Sequence, residues 1–483
     1  MKRRDLPVIP LSATPIRSEV DPSVRAVRLE LEPLGPASGP RIGLVTLGCD
    51  KNTVDSEHMM AALVGHGARV SSDVDGADVV IVNTCGFIEA AKAESIETIL
   101  EACELKEAGG VKAVVAVGCL VQRYKDELEA EIPEVDLFLG LTELANLVPA
   151  LRTRGLLPEE DQLIPTMERP LRILATETPH TSFLKISEGC DHSCAFCAIP
   201  LMRGLHRSSS VTELVREAQA LEAGGVKELN IISQDTTWYG RDRKRAGVDG
   251  ALLPDLLRAL LAGTELPWYR LFYMYPSGIT RDLVDLLAAE SRLLPYLDMP
   301  LQHGSDRILK AMRRPESQAT IRERVRWLRE AIPELTLRTT VIVGFPGETE
   351  DDFNELLALL EELRFDRVGA FTYSVEEGTP AAAMEEQLPE EVKAERLEAL
   401  MDVQREISFD LNLAQVGRRT IALVDRVLDE DPEFAFQARI ESQALDVDGV
   451  TNLLPAEGVT PGTFVEIEII DALDYDLIGV VRR

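Results

Sequence analysis

Three cysteines with a spacing typical of iron ligands lie in the segment GCDHSCAFCAIP, at Cys190, Cys194 and Cys197. We call them the core trio. The C-x3-C-x2-C spacing lets three thiolates on one short loop bind three irons of a 4Fe–4S cluster and leave the fourth iron open for a substrate or cofactor. Zinc is the weaker alternative, because zinc sites usually combine C-x2-C pairs and need a fourth ligand. His192 could be proposed as that ligand, but inside so tight a loop it cannot easily turn onto the same metal.

Three more cysteines occupy equivalent places near the amino terminus, at Cys49, Cys85 and Cys119. We call them the amino-terminal trio. Each ends a short run rich in Val and Ile that precedes a helical pattern, which predicts a parallel α/β sheet. Ligands bind at the carboxyl edge of such sheets, so we expect the three thiolates to meet there and hold a second 4Fe–4S cluster. The alternative is three buried cysteines that pack as small hydrophobes, which is our interpretation of Cys103, in a helical pattern.

A longer α/β stretch, over residues 179–412, is expected to carry the core trio. Six strand-like runs alternate there with helical patterns, at 183–190, 228–235, 269–276, 297–304, 337–346 and 367–374. Six strand–helix repeats predict an incomplete parallel barrel, (β/α)6, that is open enough for a large substrate. Function should gather at the carboxyl ends of these strands, where the first run leads into the core trio.

The remaining segments differ in composition and hydrophobic pattern. Residues 1–38 carry Pro, Ser and mixed charge and are expected to form a flexible tail before an amino-terminal α/β domain at 39–155. A linker is expected at 156–178. Short β runs with Gly and Pro between them predict a small all-β barrel at 416–483.

Composition narrows the classes of protein. The 483 residues are 45% hydrophobic and 28% charged, with no apolar run of membrane-spanning length and no signal-peptide pattern, so we expect a cytoplasmic protein. Seven cysteines in such a chain favour metal binding or catalysis over disulfides. The formal net charge of −31 favours a basic protein partner over a phosphate backbone, although acidity can also serve solubility alone.

This order of segments resembles the radical S-adenosylmethionine methylthiotransferases, from about residue 40 to the end. The α/β multidomain fold this implies has a three-cysteine domain, a radical S-adenosylmethionine core containing CDHSCAFC, and a carboxy-terminal barrel of the TRAM type. GCDKNTVDSE, NTCGFIEAAKAESIE and PLQHGSDRILKAMRR are similar to the branch that modifies the twelfth small-subunit ribosomal protein. One departure is Asp50, where the family often has Pro after the cysteine.

The resemblance implies methylthiolation of the β-carbon of an aspartate. The core-trio cluster would bind S-adenosylmethionine and, with one electron from a small flavin or ferredoxin protein, yield a 5′-deoxyadenosyl radical that takes hydrogen from the substrate. The amino-terminal cluster would hold or supply the sulfur. No residue is assigned as a conventional acid or base.

Residues at the ends of the predicted strands are candidates for holding S-adenosylmethionine: Gln234, Gln302, Arg338, Gly344 and Gly347. The two glycines belong to the turn GFPGE and permit close backbone approach to a ligand. Gln302 also has a plainer interpretation as a satisfied hydrogen-bonding residue, and Arg338 as a surface residue at a strand start.

Two other functions compete with this one. A tRNA adenosine methylthiotransferase would need a locally basic barrel, yet residues 416–483 hold 6 Arg, no Lys and 14 Asp and Glu. That balance suits a basic ribosomal protein and makes nucleic-acid binding an improbable main role. A non-catalytic iron–sulfur scaffold or electron carrier would ligate every iron with protein, yet each trio lacks a fourth cysteine.

Overall fold

The computed structural model describes residues 25–29, 32–158 and 170–482. The amino-terminal unit is a five-stranded parallel sheet in the order β3-β2-β4-β5-β6. Its central strands are buried along their whole length and rich in Val, as expected for strands covered on both faces. Its elements, with the short β1 before them, are β1 (Ala26–Arg28), β2 (Arg41–Thr46), α1 (Asp50–Gly65), β3 (Arg69–Ser71), β4 (Val79–Thr84), α2 (Glu89–Glu107), β5 (Ala113–Gly118), α3 (Cys119–Glu131), β6 (Leu137–Gly140) and α4 (Leu147–Thr153).

The central unit is a six-stranded parallel sheet in the order β15-β14-β13-β12-β11-β8, with helices between the strands. The six strands follow one another across the sheet without closing it, as the sequence predicted. The elements are β7 (Arg172–Leu174), β8 (Thr181–Lys185), β9 (Ser187–Glu188), α5 (Ile199–Arg203), β10 (Arg207–Ser208), α6 (Val211–Ala223), β11 (Glu228–Ile232), α7 (Arg241–Arg245), α8 (Leu253–Gly263), β12 (Trp268–Leu271), α9 (Arg281–Ala289), β13 (Leu293–Asp298), α10 (Asp306–Ala311), α11 (Gln318–Ala331), β14 (Thr336–Val343), α12 (Glu350–Leu363), β15 (Arg367–Thr372) and α13 (Glu390–Leu413).

The carboxy-terminal unit is a closed five-stranded barrel with its own small apolar core, also as predicted. The strands pair in the order β16-β17-β18-β20-β19. Among the described residues, no helix combines the length and apolar character needed to cross a membrane. The strands are β16 (Arg419–Val427), β17 (Phe436–Ile440), β18 (Thr451–Leu453), β19 (Phe464–Ala472) and β20 (Leu477–Val481).

The barrel docks on the amino-terminal ends of the central strands through buried charges. Arg439 of the barrel pairs with Asp425 and with Glu228, the first residue of β11. Arg270 binds the other oxygen of Glu228, and the Trp268 ring meets Phe464 edge-on at 4.9 Å. Removal of one member of such a buried set leaves the remaining charges buried without a partner. These pairs therefore fix the barrel against the sheet.

The structure corrects two expectations about the connecting segments. Part of the expected tail, Ala26–Arg28, forms β1 and pairs in parallel with β7, Arg172–Leu174, which lies in the expected linker. The two segments meet because Ala26 and Leu174 join the buried core of the central unit. Much of the expected tail and linker lies outside the described residues.

Candidate functional site

The core trio lies on the loop between β9 and α5, at the carboxyl end of β8. Backbone bonds shape the loop: the Cys190 N–H donates to the Gly204 carbonyl at 3.0 Å, and the Cys197 N–H to that of Cys194 at 3.2 Å. Burial raises the pKa of the Cys190 and Cys197 thiols to about 12, and the Cys194 sulfur beside them adds to the rise. Thiolates here therefore need a compensating positive charge, which bound iron supplies.

Polar and aromatic side chains surround the core trio. The Tyr275 hydroxyl lies 3.7 Å from the Cys194 sulfur, and Arg314 donates to the same sulfur at 4.0 Å. His192 stacks on the Tyr275 ring at 4.4 Å and bonds to Asp235 at 2.7 Å. The imidazole is therefore committed to Asp235, away from the role of a fourth metal ligand.

The amino-terminal trio lies at the carboxyl ends of three adjacent strands, as its repeated register predicted. In the sheet, Thr46 pairs with Asn83 and Thr84 with Gly118, so β2, β4 and β5 end at nearly the same level. Cys49 caps α1, Cys85 directly follows β4, and Cys119 begins α3. The close approach of the loops requires glycine: Gly48 has φ of +89°, and a Cβ there would lie 2.8 Å from the Cys85 sulfur.

Asn52, in the first turn of α1, connects the three cysteine loops. Its amide nitrogen donates to the Leu47 carbonyl at 2.8 Å and to the Thr84 carbonyl at 3.1 Å, and its oxygen lies 3.7 Å from the Cys119 sulfur. Burial, together with the nearby Cys49 and Cys85, raises the pKa of Cys119 to about 12 despite a nearby guanidinium. Cys85 and Cys119 are buried and Cys49 is exposed, so here too a cation would stabilise the thiolate form of the buried cysteines.

Both trios fit iron–sulfur clusters better than single ions. Within residues 25–29, 32–158 and 170–482, no three His, Cys, Asp or Glu side chains converge as closely as one metal ion requires. A four-iron cluster is a larger body than one ion, and its cysteine ligands stand correspondingly farther apart. Each trio therefore offers three thiols, two of them buried, of the kind that bind a cluster.

Arg203 joins the two trios, and sequence reasoning missed it. It lies on α5, six residues after Cys197, and its side chain is 2% exposed. It donates to the Asn52 oxygen at 2.6 Å, to Asp55 at 3.1 Å and to Glu188 at 2.8 Å. Burial opposes its charge, but Cys119 and the two carboxylates raise its pKa. Two features of the sequence could have indicated Arg203: its short spacing from Cys197 and the run of polar residues in α1.

Further ion pairs hold α1 against the central unit. Lys185 pairs with Asp55, and the fully buried Arg172 pairs with Glu57 and, at 2.5 Å, with Glu217 of α6. At the departure from the family pattern, the Asp50 carboxylate accepts from the Tyr273 hydroxyl at 3.3 Å, while Lys51 lies 3.1 Å over the Tyr273 ring. These contacts form the interface between the amino-terminal and central units, which we call the seam. They position the amino-terminal trio over the central sheet.

Of the expected S-adenosylmethionine contacts, Gln234 is the best placed. It follows β11 by two residues, and both polar atoms of its amide are buried without a partner among the described residues. An orphaned buried amide of this kind suits a polar ligand. Gln302 adopts a φ of +76° and forms a one-residue bridge to Val341 through its backbone.

The other three candidates have roles within the fold. Gly344 and Gly347 have φ of +73° and +76°, in a turn that closes around Glu348. The Glu348 carboxylate accepts the Gly344 N–H at 2.8 Å and pairs with Arg396 at 2.6 Å. The Arg338 side chain instead has its ion pairs elsewhere.

Arg338 lies at the interface with the barrel. It pairs with Asp298 at 2.8 Å and, across that interface, with Asp448 at 3.6 Å. Among the described residues no hydrogen bond or ion pair joins Arg338 to the core trio. We therefore interpret it as a residue of the interface with the barrel, near the start of β14, with a side chain that is 15% exposed.

Comparison with known proteins adds to this geometry. Three family models match: Uncharacterized protein family UPF0004 at residues 41–140, the Radical SAM superfamily at 184–360 and the TRAM domain at 416–481. The "Ribosomal protein uS12 methylthiotransferase RimO" of Desulforudis audaxviator (strain MP104C) is 46% identical over 91% of this chain and 97% of its own. The protein of that name from Anaeromyxobacter sp. (strain Fw109-5) is 45% identical over 92% and 93%. This chain belongs to the uS12 methylthiotransferase family.

The fold is also similar to that of more distant solved structures. One is a radical S-adenosylmethionine methyltransferase, TsrM, from Kitasatospora setae with cobalamin and a [4Fe-4S] cluster bound. It is 16% identical, with a TM-score of 0.50 over 71% of this chain and 77% of that one. At this identity the likeness concerns the fold, and membership in the uS12 methylthiotransferase family rests on the near-complete relatives. Within that family, the chain is a radical S-adenosylmethionine methylthiotransferase.

Proposed function

We propose that this enzyme methylthiolates the β-carbon of an aspartate in ribosomal protein uS12. The observation that carries the proposal is the contact of Arg203, on the helix that follows the core trio, with Asn52, which connects the loops of the amino-terminal trio. It occurs in a chain similar along 91% of its length to a protein named as a uS12 methylthiotransferase. A single trio would suffice for radical chemistry, whereas sulfur insertion needs a sulfur source beside it. Neither a tRNA substrate nor a non-catalytic scaffold has a comparable observation in its favour.

The core trio is proposed to hold a 4Fe–4S cluster and the amino-terminal trio a second one. When bound, the first cluster and S-adenosylmethionine would supply the 5′-deoxyadenosyl radical that removes a hydrogen atom from the substrate, the second cluster would supply sulfur, and another S-adenosylmethionine would supply the methyl group. Gln234 is placed to bind a polar group of S-adenosylmethionine. Tyr275 and Arg314 cover Cys194 and exclude water from that side of the loop, and Arg203 holds the second group of thiols against the first.

The direct test is mass spectrometry of purified uS12 after incubation with reconstituted enzyme, S-adenosylmethionine, sulfide and a chemical reductant. We expect one added methylthio group on an aspartate-containing peptide. An unmodified protein, alongside active cleavage of S-adenosylmethionine, would overturn the substrate assignment. A tRNA preparation in the same assay tests the alternative, since modified adenosine would appear there instead.

Two further parts of the proposal concern the setting of the reaction. The one-electron reduction needs a donor outside the chain, for which we propose a small flavin or ferredoxin protein. The substrate is a component of the ribosome, so we propose a cytoplasmic location. Replacement of the chemical reductant by purified flavodoxin or ferredoxin with its reductase tests the donor.

A further inference from the structure

Exposed apolar side chains from three segments border the area between the two trios, which we call the mouth. Two of them follow Cys85, one follows Cys197 on α5, and one lies after β15. We call them the rim, and their exposed fractions are high for large hydrophobic residues: Phe87 40%, Ile88 38%, Leu201 51% and Val375 50%. Monomeric proteins seldom leave such residues grouped at the surface unless the group binds something.

The side chain of Arg123 brings two segments of the rim together. Arg123 donates to the Gly86 carbonyl at 3.2 Å, to the Glu376 carboxylate at 2.9 Å and to the Glu377 carbonyl at 2.6 Å. One guanidinium therefore fixes the loop of Phe87 beside the loop of Val375.

The third segment of the rim adjoins the same loop. A Cβ on Gly378 would lie 3.1 Å from the Leu201 side chain, so α5 borders the loop of Val375 as well. Both cysteine loops thus present apolar side chains at one opening.

Helix α2, which begins at the rim, gives this surface a strong negative charge. Its six glutamates are all exposed. Lys92 is buried and pairs with Glu89 and Glu376, and Lys106 is paired with Asp136, so the other five glutamates of α2 gain no charge compensation from these two lysines. The glutamates are Glu89, Glu94, Glu97, Glu101, Glu104 and Glu107. The cations that could neutralise this face are thus already engaged, and the exposed charge is almost wholly acidic.

We propose that the rim and the acidic face of α2 form the docking surface for the protein substrate. The occupant is a basic segment of the substrate, whose apolar side chains pack on the rim while its Lys and Arg side chains meet the glutamates of α2. This inference rests on the proposed function. It also moves the acidic steering surface away from the carboxy-terminal barrel, which contacts the opposite, amino-terminal ends of the central strands.

The test measures kcat and KM for purified uS12 with two separate double variants. Leu201→Asp with Val375→Asp alters the rim, and Glu97→Lys with Glu101→Lys alters α2. We expect KM to rise at least about tenfold in each, as on loss of central contacts in an interface, with kcat nearly unchanged. Cleavage of S-adenosylmethionine without substrate should stay at the wild-type rate. In the α2 variant, binding should also depend less steeply on salt.

A control places one change of each kind on the barrel, as Ile421→Asp with Glu466→Lys, where Ile421 is 46% exposed. Wild-type KM in the α2 variant overturns the proposal, as does a KM that rises for the barrel control alone. If Leu201→Asp lowers the iron content, the α2 variant decides by itself, since it leaves the cysteine loops unchanged. Sedimentation that shows a wild-type dimer separated by the rim variant would assign the surface to a second copy. Failure of the wild-type enzyme to modify uS12 would refute the proposed function, whatever the rim does.

Discussion

The core trio and the amino-terminal trio hold their thiols by different means. Cys190, Cys194 and Cys197 lie on one loop, so their closeness is a local property of eight consecutive residues. The amino-terminal cysteines come from three loops, and their closeness requires a correctly ordered sheet. The first group should therefore bind its cluster even when the seam between the units is disturbed, whereas the second should depend on that seam.

The two trios also differ in where their neighbouring side chains come from. Tyr275, Arg314 and His192, which surround the core trio, all belong to the central unit. The amino-terminal trio instead receives Arg203 from another unit. A site that forms across the interface of two units can be lost by substitutions at that interface. Four substitutions, in order of decreasing expected effect, test this comparison.

The largest effect is expected for Cys194→Ala, which removes a proposed iron ligand of the core trio. Both cleavage of S-adenosylmethionine and modification of uS12 should fall below detection, because the radical comes from this site. Chromatography of 5′-deoxyadenosine measures cleavage. The matched control is Cys103→Ala, on the buried face of α2, which should keep both activities. Cleavage that survives Cys194→Ala would contradict the assignment of the core trio.

Next is Cys49→Ala, which should separate the two sites. Cleavage should persist while methylthiolation disappears, because the radical and the sulfur come from different clusters. Iron analysis of anaerobically reconstituted protein should give about eight irons in the wild type and about four in the variant. About four irons in the wild type would remove the second cluster, and loss of cleavage together with methylthiolation would mean that the two sites do not divide the work.

The third change concerns the seam, through Glu217→Gln. Burial alone would raise the pKa of Glu217, but His58 and Arg172 lower it from 4.5 to about 2. A lowered pKa stabilises the fold above the unfolded pKa, and this stability is lost as the pH falls from about 4.5 to about 2. At pH 7 the variant should be about 3 kcal/mol less stable, with the difference from wild type disappearing by about pH 2.

Urea titrations of the iron-free protein at several pH values measure this difference. Glu361→Gln, an exposed carboxylate of α12, is the matched control and should change the midpoint little at any pH. A difference between wild type and Glu217→Gln that stays constant down to pH 3 would show that the carboxylate charge does not stabilise the seam. In separate titrations of the reconstituted Glu217→Gln protein, the amino-terminal trio should lose its cluster before the core trio does.

The smallest effect is expected for Arg203→Met, which removes the positive charge beside the amino-terminal trio. Methylthiolation should fall about 10- to 100-fold, as is usual for groups that support metal ligands, while cleavage of S-adenosylmethionine stays near the wild-type rate. The midpoint potential of the second cluster should shift to a more negative value, since its reduced form loses a nearby cation. Arg203→Lys should restore part of the potential, and an unchanged potential in Arg203→Met would limit Arg203 to a packing role.

The order of elements was readable in the sequence because it follows from local patterns. Runs such as VVIVNTCG can be buried on both faces only in a covered parallel strand, and the six repeats of the central unit followed from the same reasoning. The small barrel was recognisable by its short runs between Gly and Pro. Strand β1 was missed because three residues within a polar segment carry almost no periodic signal, and its partner Arg172–Leu174 lies more than a hundred residues away.

The sequence by itself determined the thiols: their number, the local spacing of the core trio and the repeated register of the amino-terminal trio. Only the tertiary structure decided which side chains from distant segments serve them. Arg203 donates to Asn52, and Arg338 pairs with Asp448 of the barrel. The acidic helix α2 begins at the rim. Local spacing is set by covalent geometry and hydrogen bonds between near neighbours. The pairing of buried charges across a seam depends instead on how whole units pack, which no short stretch of residues records.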